Sequence, residues 1–344
     1  MKRQSGKLRF ALVGVGAIAQ THLQAFARSE VAELAAAVDV RMEAADAVAQ
    51  ANHCRAYRTV DELPQDDSID AAIVCTPPTT HPEICTKLAA RGIHVLCEKP
   101  FAVSRHGAQA MVEAAAKNRT LLTMASKFRY VTDVIYAKQL ITSGVLGKIV
   151  LFENTFAGYV DMSSRWNSRA ELSGGGVLID NGTHSIDIIR YLLGPLESVQ
   201  TIEGARAQPI DVEDTVRVYA RTAGGTLAAV DLSWSINKQT PWYISIYGTL
   251  GTALVGWKES KYKRNSDLDW IVFGKGYDKV QAFSDQLTNF CHAVTSDETL
   301  LITSDDGLAS VDSIEAAYRS MRSDDFVRLS HAVEPAAEPL RTRV

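Results

Sequence analysis

The chain has 344 residues, 46% of them hydrophobic and 22% charged, with a formal net charge of −4. That length suits two domains, each with its own core, and the ordinary composition excludes a disordered or fibrous protein. Lys and Arg are scattered rather than clustered, so neither a nucleic-acid nor a membrane-surface partner is expected.

Lys2, Arg3, Lys7 and Arg9 ahead of the apolar stretch from Phe10 to Ala19 mimic an export signal. Gly14 and Gly16 interrupt that stretch, and a first strand running into a glycine turn accounts for it better, so neither export nor a transmembrane helix is expected. The strand is Leu8 to Val13, an apolar run but for Arg9, of the kind buried on both faces of a parallel sheet. Gly14-Val15-Gly16-Ala17-Ile18-Ala19 follows, then a helix to about Arg28. Strand, glycine turn and helix in that order are the context of a dinucleotide fingerprint, with Gly14, Gly16, Ala17 and Ile18 along the pyrophosphate at a helix N-terminus. A second strand, Leu34 to Val38, ends in Asp39, placed to accept hydrogen bonds from an adenosine ribose and to repel a 2′-phosphate. That favours NAD; Arg41 two residues on keeps NADP open.

Helices at Glu43 to Asn52, Pro82 to Arg91 and Ser104 to Lys117 alternate with strands at Ala71 to Cys75, His94 to Cys97 and Leu121 to Ala125. Such alternation predicts crossover units and a parallel sheet, with ligands beyond the carboxyl ends of the strands. Two motifs fall there. Thr76-Pro77-Pro78 is either a stiff loop along the cofactor or merely a turn; His81 reads first as the start of the next helix and is kept among the cofactor-side candidates. Glu98-Lys99-Pro100 would point an ammonium into the crevice, although a surface lysine is the plainer reading of Lys99 alone.

From residue 126 the pattern changes. A helix over Thr132 to Ser143 leads into β-rich runs at Ile149 to Phe156, Ser198 to Glu203, Thr215 to Tyr219, Thr226 to Trp234, Trp242 to Gly248 and Thr252 to Val255. Tight turns between them predict a mostly antiparallel sheet. Between the first two lies Ser173-Gly174-Gly175-Gly176, then an apolar helix carrying Asp180 and His184. Four residues apart on a helix, the carboxylate can hold one ring nitrogen and leave the other as a general base. The competing reading has Asp180 capping the helix and His184 satisfied in the core. Helices over Val280 to Ser296 and Ser304 to Met321 follow, and residues 331–344 read as a flexible tail. Five cysteines, Cys54, Cys75, Cys85, Cys97 and Cys291, show neither a C-x-x-C pair nor metal-ligand spacing. No metal is expected, and they read as reduced, mostly buried thiols of a cytoplasmic protein.

The glycine turn, the Thr76 loop, Glu98-Lys99-Pro100 and the stretch from Gly174 to Asp187, in that order, resemble the glucose-fructose oxidoreductase, inositol dehydrogenase and MocA family. The resemblance implies an α/β protein: a doubly wound Rossmann domain over residues 1–125 and an α+β domain over 126–330 with a large open sheet, assembled as homodimers or homotetramers through that sheet. It also implies NAD(P)-linked hydride transfer at a secondary alcohol or ketone of a sugar, a sugar derivative or a cyclitol. Lys99, Asp180 and His184 match the family's catalytic trio: His184 as the base, Lys99 stabilising the alkoxide, Asp180 orienting His184. Lys127, Arg129, Tyr130, Asn154, Asp161, Arg165, Trp166, Asn167 and Asn181 are candidate substrate contacts. Trp166 packing its loop and Arg165 pairing with Asp161 or Glu171 remain an equal alternative, and Asp187 reads as structural. Two other classes stay open: a redox-neutral hydrolase, lyase or epimerase that oxidises its sugar transiently, and a non-catalytic NAD-binding sensor.

Overall fold

The structure is a computed structural model that describes residues 6–66, 68–238, 240–296 and 298–329; the expected tail at 331–344 lies outside them. In chain order the first part runs β1 (Leu8–Val13), α1 (Ala19–Arg28), β2 (Ala32–Val38), α2 (Met42–Ala51), β3 (Arg55–Tyr57), β4 (Ala71–Val74), α3 (His81–Ala90), β5 (His94–Glu98), α4 (Arg105–Asn118) and β6 (Leu122–Ala125). All these strands pair in parallel, in the order β3-β2-β1-β4-β5-β6. The strand order reverses between β1 and β4, and a crevice opens at their carboxyl ends. Phe10, Leu12, Ile73 and Leu96 are all but fully buried, because helices cover both faces. β3 has no sequence signal: it is three residues long, none of them buried.

The second part runs α5 (Thr132–Thr142), β7 (Ile149–Ala157), α6 (Ala170–Ser173), α7 (Val177–Leu193), β8 (Leu196–Glu203), β9 (Thr215–Thr222), β10 (Leu227–Ser233), β11 (Trp242–Gly248), β12 (Gly251–Gly256), β13 (Ser260–Arg264), β14 (Ile271–Gly274), α8 (Lys279–Thr295), α9 (Ser304–Ser323) and β15 (Val327–Arg328). Its nine strands are ordered β14-β13-β12-β11-β7-β10-β9-β8-β15, and only β7 and β10 pair in parallel. One face is apolar and packs on α7, through Val218, Val230 and Leu232. The carboxyl ends of β7 and β10, the start of β11 and the end of β12 therefore meet at one end of the sheet.

Two late elements cross back. Phe283, Leu287 and Phe290 of α8 share a core with Leu8, Phe10 and Leu12 of β1, and Thr123 of β6 donates to the Ile302 carbonyl at 2.6 Å. Residues beyond 279 thus complete the covering of the parallel sheet.

Three candidate substrate contacts lie in the interior instead. Arg129 is 4% exposed; its Nη2 meets Asp187 at 2.6 Å and Asp306 at 3.1 Å, and its Nη1 donates to the Leu301 carbonyl at 3.2 Å. Asp187, fully buried, also accepts from the Ser126 hydroxyl at 2.6 Å. A carboxylate so enclosed demands a bidentate partner, and the guanidinium supplies it. Tyr130 is buried and donates to Asn289 at 2.9 Å. Asn154 joins three elements, donating to the Tyr243 carbonyl at 2.8 Å and accepting from Ser185 of α7.

Arg129→Met should therefore strand the Asp187 charge and cost about 3–5 kcal/mol in urea unfolding. A loss of less than about 1 kcal/mol, as for an exposed pair, would contradict this account.

Candidate active site

Three glycines are needed ahead of α7 because the backbone is crowded there. Gly174 has φ +79°, and a Cβ at Gly175 or Gly176 would lie 1.9 Å from the Tyr318 hydroxyl or 2.0 Å from the Glu213 carbonyl. Into that approach comes the Glu213 carboxylate, whose Oε1 accepts from the Gly176 and Leu178 amides at 2.9 and 3.1 Å and from Tyr318 at 2.7 Å. A buried carboxylate thus satisfies the free amides of α7 and complements its dipole. Asp180 sits in the first turns of that helix and His184 one turn on.

The partner wall is the end of β5. His81, fully buried, aims Nε2 at the Thr76 carbonyl (2.8 Å) and Nδ1 at the carbonyls of Pro100 (3.1 Å) and Phe101 (3.3 Å). It fastens the loop after β4 to the loop after β5 and has no free edge for a cofactor, which corrects its place among the cofactor contacts. Burial pushes its pKa below the ordinary value, against the pull of those carbonyls. Lys99, held in this way, donates Nζ to the Asp180 carboxylate and to the Asp180 carbonyl at 3.2 Å. Asn167 donates to the other Asp180 oxygen at 3.3 Å.

Asp180 thus holds Lys99 and not His184. Among the described residues neither His184 ring nitrogen has a hydrogen bond, and Nδ1 is buried without a partner. The ring is 6% exposed and stands edge-on to Phe128 at 5.1 Å between centroids. Burial, with the charges of Lys127 and Lys99, drives its pKa well below 6.5, so the imidazole is neutral. Lys127 reaches the same cluster; burial and the Lys99 charge bring it down to about 8, with Glu98 and Asp180 resisting. Glu98 is itself buried, yet the His22 hydrogen bond at 2.8 Å and the charges of His22, Lys99 and Lys127 outweigh burial and keep it anionic. His22, Glu98 and Cys75 bring possible metal-ligand atoms within 4.8 Å of one another. The polar contact within that trio is the His22 to Glu98 hydrogen bond, an ordinary pair.

The crevice above β1 fits a dinucleotide. Gly14 has φ +85° and its Cβ would meet Cys75 backbone at 2.8 Å, whereas nothing lies within 4 Å of a Cβ on Gly16, where a phosphate can approach. Ala17 is exposed beside it and Ile18 half-buried. Asp39 closes the turn, accepting from the Val15 amide at 3.0 Å and the Arg41 amide at 2.9 Å. Burial raises its pKa, but those amides and the Arg41 guanidinium win and hold it below the usual carboxylate range. Thr76 accepts from Thr80 at 2.7 Å, bracing the Pro77-Pro78 loop.

Beyond Asp180 a cavity of about 930 Å³ runs along the end of the nine-stranded sheet. Arg165, Asn167, Asp180 and Asn181 line it; Trp166 and Asp161 do not. Arg165 and Asn167 flank Trp166 on a tight turn, and with both lining the cavity the indole is left 44% exposed at the surface. Asp161 stays exposed and accepts from the Ser163 amide at 2.9 Å; among the described residues Arg165 makes no ion pair with it or with Glu171. Sequence reasoning missed Trp242, Trp257, Lys238 and Lys258 in the lining, and Glu213 and His22 behind it. Tryptophans beside Pro241 and Gly256, at strand ends, were the available signal.

Residues 8–126 match the model of the oxidoreductase family with an NAD-binding Rossmann fold, and residues 134–254 match the GFO/IDH/MocA C-terminal domain. Inositol 2-dehydrogenase of Rhizobium meliloti is 25% identical over 336 residues, 91% of this chain and 97% of that one. The 2,7-anhydro-N-acetylneuraminate hydratase of Mediterraneibacter gnavus is 26% identical over 250 residues, 70% of this chain and 65% of that one. Among solved structures, the WlbA dehydrogenase of Bordetella pertussis in complex with NADH and UDP-GlcNAcA superposes with a TM-score of 0.83 at 25% identity, covering 94% of this chain and 98% of that one. With the parallel sheet and the mostly antiparallel one matched by models of one and the same family, the chain belongs to the GFO/IDH/MocA family of NAD-binding oxidoreductases.

Proposed function

We propose that the protein is an NAD-linked dehydrogenase or reductase for a secondary alcohol or ketone of a sugar, a sugar derivative or a cyclitol. The observation that carries this reading is a clamped ammonium, Lys99 on Asp180, with a neutral imidazole, His184, one helical turn on from the Asp180 that lines a large cavity. Gly14, Gly16 and Asp39 would hold the dinucleotide, which would supply the hydride acceptor in oxidation and the donor in reduction. In the oxidative direction His184 takes the hydroxyl proton onto a ring nitrogen as the O–H bond breaks. Its low pKa makes it a weak base, so the step needs help on the other side. Lys99 supplies it by stabilising the alkoxide, and Lys127 adds a second positive charge. Asp180 and Asn167 position Lys99, which differs from the orienting role toward His184 expected from sequence.

Asp39 in the ribose position favours NAD over NADP, with Arg41 close enough to tolerate a 2′-phosphate. A division at residues 125 and 126 follows the two sheets, with α8 and α9 packing across it. Val150, Leu151, Leu227 and Val272 leave apolar area exposed on strands of the larger sheet, which supports a homodimer or homotetramer built on it. Five free thiols support a cytoplasmic location, and no helix among the described residues is long and apolar enough to cross a membrane. A redox-neutral reaction is the second reading, favoured by the hydratase among the relatives.

Lys99→Ala and His184→Ala should each cut turnover by about 10²–10⁴-fold while NAD affinity, followed by calorimetry, holds. Unchanged turnover in either variant removes that residue from the mechanism. In oxidation His184 must be neutral, and its pKa lies below 6.5, so the acid limb of kcat/KM should fall below pH 6.5; a limb at or above it would contradict the buried, neutral ring. Lys127 loses its charge as pH rises through about 8, so an alkaline limb there should move upward in Lys127→Arg, and an unmoved limb assigns it to another group. Asp39→Ala should weaken NAD more than NADP; tighter NADP binding by the unaltered protein reverses the cofactor assignment.

A further inference from the structure

The two carboxylates at the reacting end are already committed, and one of the ammonium groups there is not. Asp180 receives Lys99 and Asn167. Glu98 receives His22 at 2.8 Å and the Lys99 amide at 3.2 Å. Lys127 stands on the turn after β6, at the carboxyl end of the parallel sheet. Among the described residues its ammonium has neither a hydrogen-bond acceptor nor an ion-pair partner. It lies over Phe128, 5.2 Å from the ring centroid, and the same ring stands against His184. The charged groups it faces are Lys99 and Glu98 at the end of β5, Lys279 on α8 and Asp180 on α7. Burying an ammonium without an acceptor is costly, and that cost is what depresses its pKa.

A single ammonium suits a single carboxylate, whereas a phosphate dianion calls for an arginine fork or a set of amides. The cavity beyond Asp180 does not oppose an acid. In its lining Arg165, Lys238 and Lys258 are cationic and Glu259 is anionic, besides the Asp180 that Lys99 holds. Just outside, Asp231 is shared by Lys238 and Arg217, and Lys261 lies over the rings of both Trp242 and Trp270, at 4.5 and 5.2 Å. Asp161 stands near Arg165. With all of these counted, positive charge is in excess, and a surface of that sign draws an anion in.

We propose that the substrate is an acidic sugar derivative, its reacting hydroxyl at Lys99 and His184 and its carboxylate on the Lys127 ammonium. This rests on the sugar-oxidoreductase reading above and deepens it. Lys127 then determines specificity: it pairs with the carboxylate of a hexuronate and gains no ion pair from the hydroxymethyl group of the neutral hexose. Lys99 remains the partner of the alkoxide. Because a carboxylate favours the charged lysine, binding raises the Lys127 pKa from about 8, and the complex takes up a proton near that pH.

The test uses the full chain loaded with NAD. Glucose and galactose are compared with glucuronate and galacturonate, which carry a carboxylate in place of the hydroxymethyl group; glucose 6-phosphate and UDP-glucose supply phosphate instead. Calorimetry near pH 8, in buffers of different ionisation enthalpy, measures affinity and proton uptake together, and NADH absorbance measures turnover. The expected result is a uronate binding about tenfold or more tighter than its hexose, with a proton uptake that the hexose does not show. In Lys127→Met both differences disappear while NAD affinity holds. In Lys127→Arg the affinity difference stays and the proton uptake goes, because a guanidinium is charged throughout. Proton uptake by the unaltered protein keeps the test open should a variant misfold. Equal affinity for uronate and hexose, uronate binding without proton uptake, tighter binding of either phosphate compound, no binding by any of them, or loss of NAD affinity in Lys127→Met overturns the proposal. Uronate-selective binding without NADH supports it and counts instead against net dehydrogenation. Turnover of hexose with the efficiency of the uronate keeps the dehydrogenase and overturns the acidic substrate.

Discussion

The contact between Lys99 and Asp180 is the constraint on which the site depends, because it joins the end of a strand in one sheet to the helix that backs the other. Neither side chain is deeply buried, at 17% and 27% exposure, so the pair adds little to stability by itself. Its effect is positional. The ammonium cannot be placed unless the loop after β5 is tied down by His81, and the carboxylate cannot be placed unless α7 begins where Glu213 and the three glycines make it begin. Two supports that are far apart in sequence converge on one hydrogen bond.

The same geometry sets the charge state of His184. With Asp180 drawn to the lysine, burial and the charges of Lys127 and Lys99 oppose an imidazolium at His184. Had the carboxylate turned to the ring, as the helical spacing permits, the lysine would face the cleft less constrained and the histidine would favour its charged form. The anionic Glu98, held by His22 one layer deeper, balances part of the positive charge of Lys99 and Lys127. Lys127 is nonetheless brought down to about 8, because burial and its fellow lysine act in the same direction.

Most of the architecture was legible from sequence, because β1, β4 and β5 carry apolar runs and are followed within a few residues by a glycine or a proline. What stayed illegible was short or polar: β3, β13, β14 and β15, which owe their pairing to neighbours rather than to their own pattern. Among the candidate site residues, Asp180 and His184 share one helix as their spacing predicts, yet the carboxylate turns to Lys99 and not to the ring. The interior placing of Arg129, Tyr130 and Asn154 was not legible, since nothing local distinguishes a lysine or arginine that faces a cleft from one that neutralises a buried carboxylate such as Asp187. Trp242 and Trp257 come together only through the pairing of β11 with β12, which no local pattern in either stretch encodes.

Folding must carry the burden of the neutral histidine. The unfolded chain binds a proton at His184 near the ordinary 6.5, whereas the folded chain binds it only at lower pH, so the unfolded state holds more protons throughout that interval. The contribution of this residue to stability is complete above pH 6.5 and is lost as pH falls toward the folded value. An orphaned ring nitrogen in an aromatic surround adds a desolvation cost that an apolar residue would avoid. Both costs fall on the same side chain, and an apolar residue such as leucine at this position would carry neither.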